Sequence, residues 1–375
     1  MSRPQVIVTV RDAVPRRGAD SVTGTAFLLY AGATGTETPV VCKTTTDATA
    51  TSAPAQVVQY VGDALTQGAP RVVLLRATAA DPANVTQAEW ATALGLLTDG
   101  YGVGQVLIPG VTTSAAYAAL LAHADAAGRC VLLDCAPTFT RSALVTTATG
   151  LASAAGAERA TIVTGAVLNG TAPGTTRTVP GSVIAAGLAA RGDAANGHAN
   201  NQPIADAGVV VGGVGVPTAL SDADLDALHD VGVSCIIPFL DFNQGTTVIE
   251  LGNWESLSQV DAFRQLNWGR FGMQIAVGAG SLLHQFIGKQ IDGNGHLFAE
   301  VKAVLSGYLT PLWTAGALYG DTAADAFEVI VDETVNTPAT IAAGEVHALV
   351  GIVLTPGAEK VYADVVTTIA QGVAA

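Results

Sequence analysis

The chain has 375 residues, 49% of them apolar and only 13% charged, and a formal net charge of −14. So much apolar material buries a large core and excludes a disordered chain. The acidic balance excludes nucleic acid as the main partner, because phosphate binding rests on a surplus of lysine and arginine.

The first seventeen residues break that balance. Arg3, Arg11, Arg16 and Arg17 against the single acid Asp12 give them a charge of +3, which leaves −17 for the remainder. Within them, residues 4–10 (PQVIVTV) alternate and are β-branched, which predicts a strand that must find its partner elsewhere. A second strand is predicted at 24–32, and the Thr/Ala stretch 44–53 reads as a linker. A helix opened by Pro54 follows at 54–67, then a continuous apolar strand at 71–78 of the kind buried on both faces. From there helices at 86–98, 114–127 and 140–156 alternate with strands at 104–110, 128–137 and 160–168, the pattern of a parallel sheet covered by helices. A helix at 180–191, a loop rich in Asn and Gly, a Gly-Val run at 208–216, a helix at 222–230, a strand at 233–241 and an antiparallel pair near 246–252 complete this part. After LGNWESL the character changes to helical segments at 258–288 and 295–315, strands at 326–332 and 345–354, and a final segment at 358–370.

The predicted fold class is therefore α/β plus α+β. It has an N-terminal arm (1–20), a central parallel-sheet α/β domain (21–256), a C-terminal α+β domain (257–357) and a C-terminal arm (358–375). Cys42, Cys130, Cys135 and Cys235 have no zinc-ligand spacing and three sit in apolar runs, so they read as reduced, buried thiols. The start lacks the apolar segment of a signal peptide, and no apolar run approaches the roughly 18 residues of a membrane span, so synthesis in a cytoplasm is expected.

Residue by residue, enzymatic chemistry finds little support. The runs GVVVGGVGVP (208–217) and GYGVGQVLIPG (100–110) lack the G-x-G-x-x-G spacing of a dinucleotide site and read as turns and tight packing. Asp134 ends a parallel strand, where active-site groups often lie, and His123 and His198 are the histidines that would join it, but no G-x-S-x-G elbow accompanies them. His229, His284, His296 and His347 form no metal-binding pair. Trp268 and Trp313 fall at helical spacing with Phe271 and Ile275 and with Leu305 and Leu309, which makes them core anchors of the second module, whereas Trp254 precedes both helices. No cofactor is expected, and a Rossmann-like enzyme stands only as the alternative from another class.

One stretch carries more. SGYLTPLWTAGALYGDTAADAFEVIVD (306–332) joins a helix to a strand through an aromatic, glycine-punctuated corner. It and its surroundings, from LNWGRFGMQ to TPGAEKVYADVV, resemble the C-terminal module of contractile phage tail sheath proteins. In that family an Arg-bearing helix, a second helix ending in L..LW..GAL.G, an AF.V..D strand and a strand closing in P.AE.V follow in this order. Upstream, QVLIPGVTTSAAYAALLAHADAAGRCVLLDCAP resembles the family's central domain, and VPGSVIAAGLAARGDAANGHANNQP its VP.SG.VAG..AR.D...G...APAN segment. The strand TGTAFLLYAGATG resembles one near the family's start, whereas the family's WGARTL element departs here and appears only as LGNWESL.

The resemblance implies a structural subunit, not an enzyme. It implies a helical homo-polymer of stacked hexameric rings around a tail tube protein, joined to baseplate and tail terminator proteins, with no nucleic acid and no membrane insertion. Contraction would drive the tube through a host envelope for genome ejection. The protein would be assembled in the bacterial host cytoplasm and reside in the virion tail, with the sheath of a bacteriocin or other contractile injection system as the alternative. In such a lattice Val6, Ile7, Val8 and Val10, with Val361, Val365 and Ile369, would pair with open sheet edges of neighbours, and Arg11, Arg16 and Arg17 would dock on a neighbour's acidic body. Val361, Val365, Val366 and Ile369 also fit one helix face, and the resemblance favours a strand. At the corner, Pro311 and Gly316 are expected to turn the chain from helix to strand, while Trp313 and Leu318 lock the module.

Overall fold

A computed structural model describes residues 23–241 and 245–358. Its described residues open with β1 (Thr25–Ala31), the short β2 (Val40–Cys42), helices α1 (Thr45–Ala50) and α2 (Ala55–Gln67), and β3 (Val72–Thr78). Alternation follows as α3 (Gln87–Gly95), β4 (Gly104–Leu107), α4 (Ser114–Ala127), β5 (Cys130–Asp134), α5 (Arg141–Leu151) and β6 (Ala160–Val163). Then come β7 (Ala166–Asn169), β8 (Thr176–Val179), α6 (Gly181–Asn196), β9 (Gly213–Gly215), α7 (Asp222–His229), β10 (Val233–Ser234), β11 (Ile236–Asp241) and β12 (Thr246–Leu251). The last part holds α8 (Leu266–Leu283), α9 (His296–Thr314), α10 (Ala323–Ala326), β13 (Phe327–Ile330), α11 (Pro338–Ala342) and β14 (Leu349–Ile352).

The main sheet has the order β10-β6-β5-β4-β1-β3-β2, parallel throughout except for the antiparallel edge strand β2. Because successive strand residues point to opposite faces, β1 sends Ala26, Leu28 and Tyr30 into one core and Phe27, Leu29 and Ala31 into the other. The first core is closed by α2 and α6, the second by α3, α4, α5 and α7. Helix starts are written locally: Thr44 with Asp47, Thr86 with Glu89 and Ser221 with Asp224 form reciprocal capping boxes. Helix α6 is built of small residues and lies almost wholly buried. A Cβ on its Gly187 would sit 2.3 Å from the Gln67 Cβ, so only glycine lets α6 approach α2 this closely.

A third core, made from Phe271, Ile275, Leu305, Leu309, Leu318, Val329 and their neighbours, lies between α8, α9 and the antiparallel pair β13–β14. Trp313 packs against it, whereas Trp254 belongs to the main-sheet core and Trp268 is half-buried outside all three.

Several expectations need correction. The strand expected at 160–168 is two strands, β6 in the main sheet and β7 in a small sheet of order β8-β7-β9. The strand expected at 233–241 divides likewise into β10 and β11, the latter pairing antiparallel with β12. Both breaks occur at one place: the Thr164 amide donates to Ser234 O (3.1 Å) and the Ile236 amide to Thr164 Oγ1 (2.8 Å), so the two chains leave the sheet together. The stretch 44–53 contains α1, because the Thr44 capping box nucleates a helix in what composition alone makes a linker. The helix expected from 258 begins only at Leu266, after the short turn Asp261–Phe263.

Candidate functional site: the polar junction behind the corner

The corner is a helix end of defined type. Helix α9 closes with Gly316 in the left-handed conformation (φ +84°), its amide donating to Trp313 O (2.9 Å) and the Ala317 amide to Leu312 O (3.0 Å). These are the two bonds of a Schellman motif, which satisfies carbonyls that the helix leaves open. Pro311 does not make the turn: it lies inside the last turn of α9, exposed, where it removes one ladder bond from Gly307 O. Trp313 Nε1 donates to Gly320 O (2.9 Å), and Leu318 is buried and bridged to Leu354. The Tyr319 amide donates to Val353 O (2.9 Å) and the Thr355 amide to Ala317 O (3.3 Å), so the corner runs antiparallel to residues 353–355.

Behind the corner lies a buried cluster of polar groups. Arg270, fully buried on α8, donates through Nη2 to Asp193 Oδ2 at 2.6 Å. The same oxygen accepts from Thr23 Oγ1 (2.7 Å), and Asp193 Oδ1 accepts from Asn201 Nδ2 (2.9 Å). Asn267, one helical turn before Arg270, donates to Asn200 Oδ1 (2.6 Å). Asn200 in turn donates to Ala317 O (2.7 Å) and Thr355 O (3.1 Å). Gln265 exchanges two bonds with the backbone of Gly357, receiving its amide at 2.9 Å and donating to its carbonyl at 3.3 Å. The ring of His198 lies 3.3 Å from Ala315 O and meets Phe271 edge-on, and burial lowers its pKa. Arg270 Nε and Nη1 and Asn267 Oδ1 meet no protein partner among the described residues; buried polar atoms of this kind are places for bound water. The junction thus joins the loop 197–203, the start of α8, the corner and the chain at 355–357.

Asp134 has another task. Buried at the end of β5, it accepts from the amides of Gly110 (2.9 Å) and Ser182 (2.8 Å) and from Ser182 Oγ (2.6 Å). Helix α6 opens at Pro180, which offers no side-chain cap, so Asp134 reaches across from the sheet to the positive end of its dipole. Burial raises its pKa to about 6 despite these donors. No histidine is among its partners: His123 lies 3.5 Å from Arg129 Nη1, and His198 sits in the junction. The hydrolase constellation is not assembled. Gly110, the last glycine of the run at 100–110, gives its amide to a carboxylate, and the run at 208–217 holds the strand β9 instead of opening a helix. Among the described residues no group of three or more His, Cys, Asp or Glu could hold a metal ion, and no helix is long and apolar enough to cross a membrane. The four cysteines form no disulfide, and burial pushes the thiols of Cys42 to about 11 and of Cys135 and Cys235 to about 12.

Val6, Ile7, Val8, Val10, Arg11, Arg16, Arg17, Val361, Val365 and Ile369 lie outside the described residues. The β13–β14 pair is a sheet of only two strands among the described residues. The junction was not anticipated from the sequence as a unit. Its available signals were a single arginine in the otherwise uncharged helix LNWGRFGMQIAVGAG and the density of Asn and His in GHANNQ.

No protein-family model matches the chain, and no curated protein does. Solved structures do. The PVC sheath complex of an extracellular contractile injection system, in the contracted state, superposes with a TM-score of 0.75 at 15% identity, covering 98% of each chain. The contracted helical sheath of the anti-feeding prophage (AFP) gives 0.72 at 18% identity, over 98% of this chain and 99% of that one. A sheath tail protein of Listeria innocua gives 0.58 at 11% identity, over 90% and 96%. The fold is that of the contractile sheath proteins. The likeness to the AFP and PVC sheaths extends over nearly the full length of both chains.

Proposed function

We propose that this chain is the sheath subunit of a contractile machine, polymerising as stacked rings around an inner tube and doing mechanical work by rearranging subunit contacts. The observation that carries the reading is the near-complete mutual coverage with sheath chains: 98% and 98%, with neither chain holding a large extra domain. The heterologous contacts of such a polymer would come from the segments around Val6–Val10 and Val361–Ile369, added as strands to the two-stranded β13–β14 sheet of another copy. Contraction would use no nucleotide. The work would come from a second, lower-energy arrangement of rigid subunits.

Two settings fit such a machine, a phage tail and a bacteriocin or other contractile injection system. Baseplate and tube proteins are then the further partners, and genome ejection belongs only to the phage setting. Negative-stain electron microscopy of the purified protein at rising concentration tests the central claim. Hollow ridged tubes are expected, and a chain lacking residues 1–18 should fail to form them. Monodisperse particles at every concentration, even with a purified tube as template, would overturn the reading. Headless particles from producing cells would fix the injection setting, and DNA-filled heads the phage one.

A further inference from the structure

We infer that the first turns of α8 are a coupler, fixing the two ends of the described chain in one frame so that neither end shifts without the other. Thr23 stands at one end and residues 355–357 at the other, and side chains link both to the start of the same helix: Thr23 through Asp193 of α6, and residues 355–357 through Asn200 and the N-cap residue Gln265. Arg270 and Thr23 share Asp193 Oδ2, at 2.6 and 2.7 Å. Three residues earlier on the same face, Asn267 holds Asn200, whose amide group is spent on Thr355 O and Ala317 O. Gln265 closes a two-bond ring with Gly357.

Chemistry makes this a coupling and not merely a set of contacts. Asp193 receives three donors and Arg270 is wholly buried, so withdrawing Thr23 leaves the carboxylate under-bonded beside a buried guanidinium. In a buried network the loss of one donor is felt by the other members that share its acceptor. The arginine sets the rotation of α8, and that rotation aims Asn267 and Gln265 at the other end. At that end the acceptors are backbone carbonyls, so what is fixed is the path of the chain itself. If the sheath reading holds, a pull on a strand exchanged at one end passes through α8 to the other, and the lattice gains continuous tethers through each subunit. That consequence rests on the proposed function, whereas the coupling does not.

Hydrogen exchange on the full chain tests it, below the concentration at which any polymer forms. Thr23→Val keeps the shape and removes one hydroxyl. We expect exchange of the Thr355 and Gly357 amides to rise by about tenfold, although Thr23 contacts neither, while the Leu74 amide in the central strand and the Ile341 amide in α11 stay within about twofold. Gln265→Ala is the reciprocal variant and should speed exchange at Ala26, whose amide donates to Arg71 O. Unchanged rates at 355 and 357 in Thr23→Val, or a uniform rise at all four amides, would overturn the coupling. Coupling in a protein that never forms tubes would sink the sheath reading alone. Tubes without coupling would sink this inference alone.

Discussion

Asp134 is the residue whose chemistry most resembled an active site and whose surroundings assign it to structure. Its ordinary pKa is 3.8 and its folded one about 6, raised by burial first and restrained by the Ser182 and Gly110 donors. Between those values the native state holds a proton that the unfolded chain has released. Its contribution is therefore complete below about pH 4 and is lost as pH rises through 6. Two units correspond to about 3 kcal/mol. The carboxylates of Asp47, Glu89 and Asp224 work in the opposite sense, because hydrogen bonds from their capping partners lower their pKa values. The whole-protein curve is thus a sum, and comparison with Asp134→Asn isolates one part. Urea unfolding at pH 4 and pH 6.5 should show wild type losing stability relative to the variant over that interval. Parallel curves would mean that Asp134 is ionised throughout.

At the scale of elements, the corner can be divided between its two turn-forming residues. Gly316 has open space around it, so Gly316→Ala costs only the left-handed backbone, about 1–2 kcal/mol. Pro311→Ala has the reverse sign. A proline in a helix interior costs about 3 kcal/mol and its stiffening of the unfolded chain returns about 1, so the substitution should stabilise by about 2. Urea midpoints read both, and destabilisation by Pro311→Ala would restore proline as the turning residue. Proline near a helix end usually marks the stop, whereas here the Schellman bonds of Gly316 and Ala317 place the stop five residues after Pro311. The alternation of apolar strands and helices was legible because both faces of the main sheet are covered and the period of two is complete in β1, β3 and β5. The passage from β6 to β7 was not, since Thr164 and Gly165 interrupt an apolar run without a charge or proline. Only the contacts of Thr164 with Ser234 and Ile236 reveal the change of sheet. The junction was hidden for a similar reason: Thr23, Asp193 and Arg270 are far apart in sequence, and half of its acceptors are backbone carbonyls.

For the whole molecule the deciding quantity is charge. Each copy carries −14, divided as +3 on residues 1–17 and −17 beyond them. In the proposed polymer, long-range repulsion between bodies would oppose a short-range attraction of the basic segment for an acidic neighbour, and salt would weaken both. Which one salt weakens more is decided by distance. Seated arginines act within the roughly 10 Å screening length of 0.1 M salt, but three net charges at about 0.5 kcal/mol each already shift an association constant about tenfold. Repulsion is spread over the whole acidic body, and most of it is screened at that salt already. Assembly of the full chain should therefore weaken between 0.05 and 0.5 M sodium chloride. A chain lacking residues 1–18, driven to associate at high concentration, keeps only the repulsive part, so its association should strengthen over the same range. Sedimentation of both chains across the salt series makes the comparison, and a salt dependence of the same sign in both would mean that the basic segment does not seat on an acidic surface.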